Sequence, residues 1–260
     1  IPKFNYDISL DVLLDSMEEV STYDSKLDTS PPSLIFAKSP SVLVLIDGNP
    51  KFKQANDQFS IIENSSFFII QEAGKENYFL KGGDFWYNAS KPLGPWSETK
   101  SVPKGIIELE AKANREKNEE NEKYEGGAPA IIVATSPSEL IVMDGEPNFS
   151  PIQNTNLLYV ENTSSNLFME INKQNYYVLV SGRWFYSKEL GTTWDYISSD
   201  KLPEDFKNIP KDHKKSNVLS NVAGTEEAKD AIYDAQIPQT ASVNKDTKPE
   251  DVKYEGEPKF

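Results

Sequence analysis

The sequence contains one motif twice, and this duplication restricts the fold more than any other feature. Residues 32–52 read PSLIFAKSPSVLVLIDGNPKF and residues 129–149 read PAIIVATSPSELIVMDGEPNF, with 11 of 21 positions identical and no gap. A repeat of this size indicates one supersecondary unit per copy, which buries its apolar face against a neighbour. We therefore expect two homologous units with the same internal fold.

The similarity continues past the motif and sets the size of each unit. The further matches are Glu63-Asn64 with Glu161-Asn162, Asn77-Tyr78 with Asn175-Tyr176, 83–87 with 182–186, and Leu93-Gly94 and Trp96 with Leu190-Gly191 and Trp194. Unit 1 therefore spans residues 31–100, and unit 2 spans residues 128–200. The tetrapeptide KYEG at 253–256 repeats 123–126. We expect a third unit to begin within residues 238–260 and the natural protein to continue past residue 260.

Short apolar runs bounded by turn residues predict β-strands in both units. Residues 42–46 and 140–143 are rich in β-branched residues, follow Ser-Pro and precede Asp-Gly. Further strands are predicted at 59–63, 67–71, 78–81 and 85–88, and at 157–161, 167–171, 176–180, 183–187 and 193–197. Short links between four to six strands predict an antiparallel meander, either curled into a small barrel or packed as a sandwich.

Helical patterns lie between the units. An N-terminal helical segment covers residues 1–30, with apolar residues at helical spacing over 10–23. A charged helical connector covers residues 101–127, in which 106–125 form either a solvated connecting helix or a flexible linker. A helical segment covers residues 201–237, with helices expected at 217–222 and 225–235. The predicted fold class is therefore α+β and β-rich, with two homologous antiparallel units joined by helices.

Composition removes several function classes. Against 27 Lys and Arg there are 41 Asp and Glu among 260 residues, which gives a net charge of −14. Such a surface repels nucleic acid, and no apolar run reaches the length of a membrane-spanning helix. The chain has no cysteine and a single histidine, His213. Cysteine nucleophiles, iron–sulfur clusters and multi-histidine metal sites are therefore excluded, and we expect no enzyme activity, metal or cofactor.

Two aromatic clusters are the candidate ligand-binding residues. They comprise Trp86, Tyr87 and Trp96 in unit 1, and Trp184, Tyr186 and Trp194 in unit 2. Such side chains can stack on the apolar faces of sugar rings, or they can be core residues of the strands. Because alternate residues of a strand point to opposite faces, at least one aromatic of each cluster is free to be exposed. The core interpretation is favoured.

The Asp-Gly-x-Pro sequences are predicted to be structural turns. They comprise Asp47, Gly48 and Pro50, and their repeats Asp144, Gly145 and Pro147. A calcium site is the alternative, but it needs six to eight oxygen ligands, and the sequence contains no EF-hand spacing. An aspartate that accepts hydrogen bonds from local N–H groups explains the pattern with fewer groups.

Several longer segments carry a resemblance to a known family. They are Ile8-Ser-Leu-Asp-x-Leu-Leu14, Pro31-Pro32, and the segments 43–50, 94–96, 176–185, 218–225 and 235–241. The chain resembles a family of large uncharacterised bacterial repeat proteins, which are exported. Some members carry the label "carbohydrate-binding family V/XII". The resemblance implies a repeat architecture and an extracytoplasmic location (periplasmic, outer-membrane-associated or secreted), and it transfers no functional residue.

These observations predict a non-catalytic extracytoplasmic repeat protein that acts as a protein-binding or assembly module of the bacterial envelope. Its expected partner is a protein. The alternative is a carbohydrate-binding protein that uses the Trp and Tyr clusters. Exposed tryptophans along a groove favour the alternative, and buried tryptophans favour the first function.

Overall fold

The computed structural model describes residues 30–117, 126–191 and 193–236. Unit 1 contains β1 (Ser33–Ala37), β2 (Ser41–Leu45), β3 (Phe52–Asn56), β4 (Phe59–Ile62), β5 (Phe68–Glu72), β6 (Tyr78–Gly82), β7 (Phe85–Ala89) and β8 (Ser97–Glu98). Unit 2 contains β9 (Ala130–Ala134), β10 (Ser138–Val142), β11 (Phe149–Pro151), β12 (Leu157–Val160), β13 (Asn166–Glu170), β14 (Asn175–Val180), β15 (Arg183–Ser187) and β16 (Asp195–Ile197).

Helices follow each unit. Helix α1 (Lys104–Lys117) comes after unit 1, and three 3-10 helices and helix α2 (Glu226–Gln236) come after unit 2. The 3-10 helices are η1 (Ser199–Lys201), η2 (Glu204–Asn208) and η3 (Ser216–Asn221). Thr225 caps α2, because its Oγ1 accepts a hydrogen bond of 3.1 Å from the N–H of Ala228.

Six strands of each unit form an open antiparallel meander. Strands β3 to β8 pair in sequence order in one sheet, and β11 to β16 pair in sequence order in another. The β-rich fold with two homologous meander units is therefore confirmed. The small-barrel alternative is wrong, because the first and last strands of each sheet do not pair. Each sheet carries apolar residues on both faces and is covered by other elements on both, so it packs as a layer.

The two remaining strands of each unit pair across the units. Strand β1 pairs in parallel with β10, with Ser33 opposite Ser138. Strand β2 pairs in parallel with β9, with Ser41 opposite Ala130. A shift of 97 residues converts one ladder into the other, so the pairing is reciprocal, as in a two-fold symmetric interface. The predicted strands did not include β1, β3, β8, β9 or β11. The pairing of β1 and β9 has no local signal, because their parallel partners lie about 100 residues away.

Backbone hydrogen bonds continue this junction into the turns. The N–H of Ile46 donates to the carbonyl of Ala134 at 2.9 Å, and the equivalent N–H of Met143 donates to Ala37 at 2.8 Å. Two residues further along, the N–H of Gly48 donates to the carbonyl of Thr135, and the N–H of Gly145 donates to the carbonyl of Lys38. The two units are therefore packed together through hydrogen-bonded backbone.

The inner face of each sheet lies against strands that include one from the other unit. In unit 1, Val44, Ile46 and Leu80 pack with Ile131 and Val133 of β9. In unit 2, Ile141, Met143 and Val178 pack with Leu34 and Phe36 of β1. Neither inner core is complete within its own repeat.

The outer faces have different covers. In unit 1, helix α1 places Ile106, which is 0% exposed, on Phe59, Ile70 and Phe79. In unit 2, the segment 199–236 places a larger apolar set on the sheet. That set comprises Leu202, Phe206, Ile209, Val218, Leu219 and Val222.

The structure corrects the alignment of the aromatic clusters by one residue. Gly82 lies opposite Phe85 in the β6–β7 hairpin, and Val180 lies opposite Arg183 in the β14–β15 hairpin, a shift of 98. Trp86 is therefore equivalent to Trp184, although matching 83–87 with 182–186 had paired Trp86 with Phe185. The alignment by glycine failed because the two turns place their glycines differently.

Some predictions fall outside the described residues. They are the helix at 10–23, the acidic residues 118–125 of the connector and the third unit at 238–260. The boundaries of the six predicted segments stay predictions. In the part of the chain that is described, no helix has both the length and the apolar character needed to cross a bilayer.

Candidate functional site

The Asp-Gly-x-Pro residues form turns that an asparagine holds in place. Gly48 and Gly145 have φ of +74° and +82°, which glycine adopts without strain. Asn64 Nδ2 donates to the carbonyls of Asp47 and Asn49 at 2.7 and 2.9 Å. Asn162 makes the equivalent bonds to the carbonyls of Asp144 and Glu146.

Pro50 and Pro147 follow these turns. Both asparagines were identified as repeat matches in the sequence, but their role in holding the turns was not predicted. Within residues 30–117, 126–191 and 193–236, no three His, Cys, Asp or Glu side chains are grouped as metal ligands would be. The turns are held by the two asparagines, and among the described residues the carboxylates of Asp47 and Asp144 accept no hydrogen bond, so the predicted capping by these aspartates is not seen.

Three of the four tryptophans are buried. Trp184 is 1% exposed, and its Nε1 donates to the carbonyl of Asn221 at 2.6 Å. Trp194 stacks on Phe36 of the other unit with ring centroids 6.1 Å apart. Trp96, which is equivalent to Trp194, packs in the inner core of unit 1. These three rings are core residues.

The other three predicted aromatics lie in different places. Tyr87 is buried, donates from its hydroxyl to the carbonyl of Pro129 at 2.8 Å, and lines an apolar cavity of about 410 Å³ between the units. Tyr186 is half-buried beside Tyr177. Trp86 is half-buried on the outer face, with Lys81 Nζ 5.3 Å from its ring centroid. The six residues are therefore not brought together as one stacking platform.

The outer face of unit 1 contains a cleft that the sequence did not predict. We call it the unit 1 cleft: a cavity of about 540 Å³ between the sheet and helix α1. Its lining residues are Lys53, Ile61, Ile62, Glu63, Ser65, Ser66, Phe67, Phe68, Ile69, Lys81, Gly83, Glu110, Ala113 and Asn114. Two lysines and two glutamates at its wall make the lining both apolar and charged.

The outer face of unit 2 contains a buried lysine, Lys215. Lys215 is 6% exposed, and its Nζ donates to the carbonyls of Thr163, Ser164 and Ser165 at 3.2, 3.1 and 2.7 Å. These three acceptors use all three protons of the ammonium. Burial, together with the neighbouring charge of Lys214, lowers the pKa of Lys215.

The preceding two residues complete this contact. Lys214 Nζ lies 2.8 Å from Glu161 Oε1 and 4.8 Å from the ring centroid of Tyr159. Hydrogen bonds from Lys214 and Ser150 lower the pKa of Glu161. The His213 ring meets the same Tyr159 ring edge-on, with centroids 4.8 Å apart. Residues 213–215 therefore fill the outer face of unit 2 next to β12.

The shift of 98 residues identifies the matching residues in unit 1. Strands β4 and β12 keep the same register, because Phe59 lies opposite Glu72 and Leu157 lies opposite Glu170. Tyr159, Glu161, Thr163, Ser164 and Ser165 correspond to Ile61, Glu63, Ser65, Ser66 and Phe67. All five of the latter line the unit 1 cleft. The cleft therefore lies where unit 2 holds its own lysines.

The sequence analysis missed this site for a definable reason. Lys214 and Lys215 lie outside the repeated residues, so repeat matching did not reach them. The only available signal was the adjacent Lys-Lys pair beside the single histidine.

Comparison with known proteins adds no family assignment. Neither a protein-family model nor a curated protein matches this sequence. The resemblance to exported bacterial repeat proteins therefore stays a prediction.

Proposed function

We propose that this chain is a non-catalytic protein-binding or assembly module, and that the unit 1 cleft is its contact site. One observation carries the proposal: polypeptide fills the outer face of unit 2 where unit 1 has a cleft of about 540 Å³. Homologous surfaces with the same strand register are suited to the same class of occupant. The occupant of the unit 1 cleft is accordingly a protein segment.

The non-catalytic part of the proposal rests on the residue inventory. The single histidine packs on Tyr159, and its Nδ1 accepts a hydrogen bond from the N–H of Lys215 at 3.1 Å. That contact is structural. The proposed extracytoplasmic location in the bacterial envelope rests on the family resemblance.

Carbohydrate binding is the second candidate and has less support. Its platform needs exposed rings, and Trp184, Trp194 and Trp96 are buried. Trp86 is the half-buried exception, at the outer face of unit 1. A glycan that binds there is expected to shift the emission of one tryptophan among four.

Site-specific crosslinking tests the proposed function. Because the chain has no cysteine, Asn114→Cys in the cleft wall and Asn217→Cys on the exposed side of η3 each carry a single photoreactive label. In envelope preparations, we expect the label at 114 to yield one discrete protein adduct that the label at 217 does not yield. The adduct protein, once purified, must bind the unlabelled chain saturably.

Two results contradict the proposal. One is an equal adduct pattern from both labels, because binding is then not located at unit 1. The other is a soluble glycan that binds saturably and protects Trp86 from iodide quenching, in the absence of any adduct. That result favours the carbohydrate alternative.

A further inference from the structure

We infer that the unit 1 cleft recognises a partner segment with two adjacent lysines, bound as unit 2 binds its own Lys214 and Lys215. This inference rests on the proposed function and names the chemistry of the partner. The first lysine is placed on Glu63 and the second on the carbonyls of residues 65–67.

The backbone that would hold the second lysine is fixed in the same way in both units. Ser65 Oγ donates to the carbonyl of Leu45 at 2.8 Å, and Thr163 Oγ1 donates to the carbonyl of Val142 at 2.6 Å. One residue earlier, Asn64 and Asn162 hold the turns identically. Carbonyls 163–165 converge on one ammonium, and because the two loops share these anchors we expect carbonyls 65–67 to converge in the same way. A carbonyl oxygen can accept two hydrogen bonds. The second lysine can therefore bind carbonyls 65–67 even where these already accept another hydrogen bond.

The acid that would hold the first lysine is also repeated. In unit 2, the carboxylate of Glu161 forms an ion pair with Lys214. Its counterpart Glu63 is exposed at the wall of the cleft. Within the described residues, Glu63 makes no side-chain hydrogen bond or ion pair. Ile61 replaces Tyr159, so the stem of the first lysine would lie on an aliphatic side chain instead of an aromatic ring.

Charge favours a cationic occupant and also limits it. The whole chain carries a net charge of −14, which attracts a basic partner over distance. At the cleft itself, Lys53 and Lys81 oppose Glu63 and Glu110, and Lys81 already lies over the Trp86 ring. Two well-placed ammonium groups are therefore accommodated, whereas a longer basic run meets repulsion.

The geometry also selects lysine over arginine. Three carbonyls from consecutive residues surround a compact ammonium, whose three donors rotate freely. A planar guanidinium holds its N–H donors in a fixed fork that is spread over three nitrogens. No single nitrogen of arginine can therefore donate to three carbonyls, as the lysine ammonium does. A peptide with Arg-Arg is expected to bind about tenfold more weakly than one with Lys-Lys.

A short peptide tests the inference on the full chain. The probe is acetyl-DHKKSN-amide, which copies residues 212–217, and the readout is the NMR shift of the Ile61 methyl groups. We expect saturable shifts that Glu63→Gln weakens about two- to fivefold, because this ion pair is exposed. The matched variant Glu161→Gln, in unit 2, is expected to leave the affinity unchanged. Peptides with acetyl-lysine or Arg-Arg are expected to bind about tenfold more weakly.

Several outcomes overturn the inference. Equal binding of a peptide with norleucine in place of both lysines shows that the cleft is only apolar. Shifts at Trp184 in place of Ile61 show exchange into unit 2. Dimers in sedimentation that Glu63→Gln abolishes identify a second copy as the occupant. Absence of all peptide binding refutes the lysine pair but leaves the crosslinking test unaffected, so the two proposals fail separately.

Discussion

The inner and outer faces of the two sheets differ in how far the repeat controls them. The inner faces are built alike, since each packs on the reciprocal ladders β1–β10 and β2–β9. The outer faces have the same strand register but different covers, helix α1 in unit 1 and residues 199–236 in unit 2. A duplicated sheet therefore fixes its own shape, whereas the chain that follows it decides whether its second face is filled.

The largest expected effect compares the two outer covers. Phe206 is 0% exposed and meets Trp184, Phe168 and Tyr177 with ring centroids 5.0 to 5.4 Å apart. Phe206→Ala is expected to lower the free energy of unfolding by about 3–5 kcal/mol. The matched variant Ile106→Ala is expected to lose less, about 2–3 kcal/mol. Urea unfolding measures both, and a larger loss for Ile106→Ala contradicts the comparison.

The second effect concerns Lys215, the buried lysine of the outer face of unit 2. Lys215→Ala removes the donor for three carbonyls and leaves a cavity, so we expect a loss of about 2–3 kcal/mol at neutral pH. Lys214→Ala is the control, and its loss is expected to be much smaller because that ion pair is exposed. Thermal unfolding of the two variants distinguishes them. Equal losses would show that the carbonyl cage contributes no more than a surface pair.

The third effect tests the corrected equivalence of the tryptophans. Trp184→Phe leaves the carbonyl of Asn221 without its donor, so we expect a loss of about 1–3 kcal/mol. Trp86→Phe replaces a half-buried indole beside Phe68 with a smaller ring and is expected to cost less than about 1 kcal/mol. Chemical unfolding compares the two. If Trp86→Phe is the more damaging change, Trp86 and Trp184 do not differ in burial and bonding as their equivalence with unequal covers requires.

The smallest effect is a pH dependence from the single histidine. Burial, followed by the charge of Lys214, lowers the pKa of His213 below its ordinary value of 6.5. The unfolded chain then binds more protons than the folded chain, so stability falls as pH drops through about 6.5 toward the lower folded pKa. NMR titration of the one imidazole measures the shift directly.

A matched variant isolates this contribution. His213→Asn keeps an acceptor for the N–H of Lys215 and removes the titration. The slope of stability against pH between about 5 and 7 is expected to flatten in this variant. A folded-state pKa at or above 6.5, or an unchanged slope, contradicts the role given to burial.

Part of the fold was predictable because its signals are local. The apolar runs 42–46 and 140–143 predicted β2 and β10. The Asp-Gly sequences after them predicted turns, in which Gly48 and Gly145 adopt positive φ. The capping pattern at Thr225 predicted α2. Each of these features depends on residues within a few positions of one another, which the sequence displays directly.

The candidate site was not predictable, because its parts are distant in sequence. The aromatic clusters were the candidate ligand-binding residues of the sequence, and Trp184 and Trp194 are buried, as the favoured core interpretation expects. The unit 1 cleft joins strands around residues 61–67 to helix α1, near 110–114. The proposed occupant of the cleft is inferred from Lys215 of unit 2. That residue lies outside the repeat, about 50 residues from the carbonyls that it contacts.

The sequence by itself determined that there are two copies of one β-rich unit, where most of their strands and turns lie, and that the chain is strongly acidic. Only the tertiary structure decided that β1 and β9 cross to the other unit, that Trp86 matches Trp184, and that one outer face keeps a cleft. The physical reason is that hydrogen-bond partners and face assignment depend on register. A one-residue shift, such as that between the two glycine turns, reverses which face a side chain occupies.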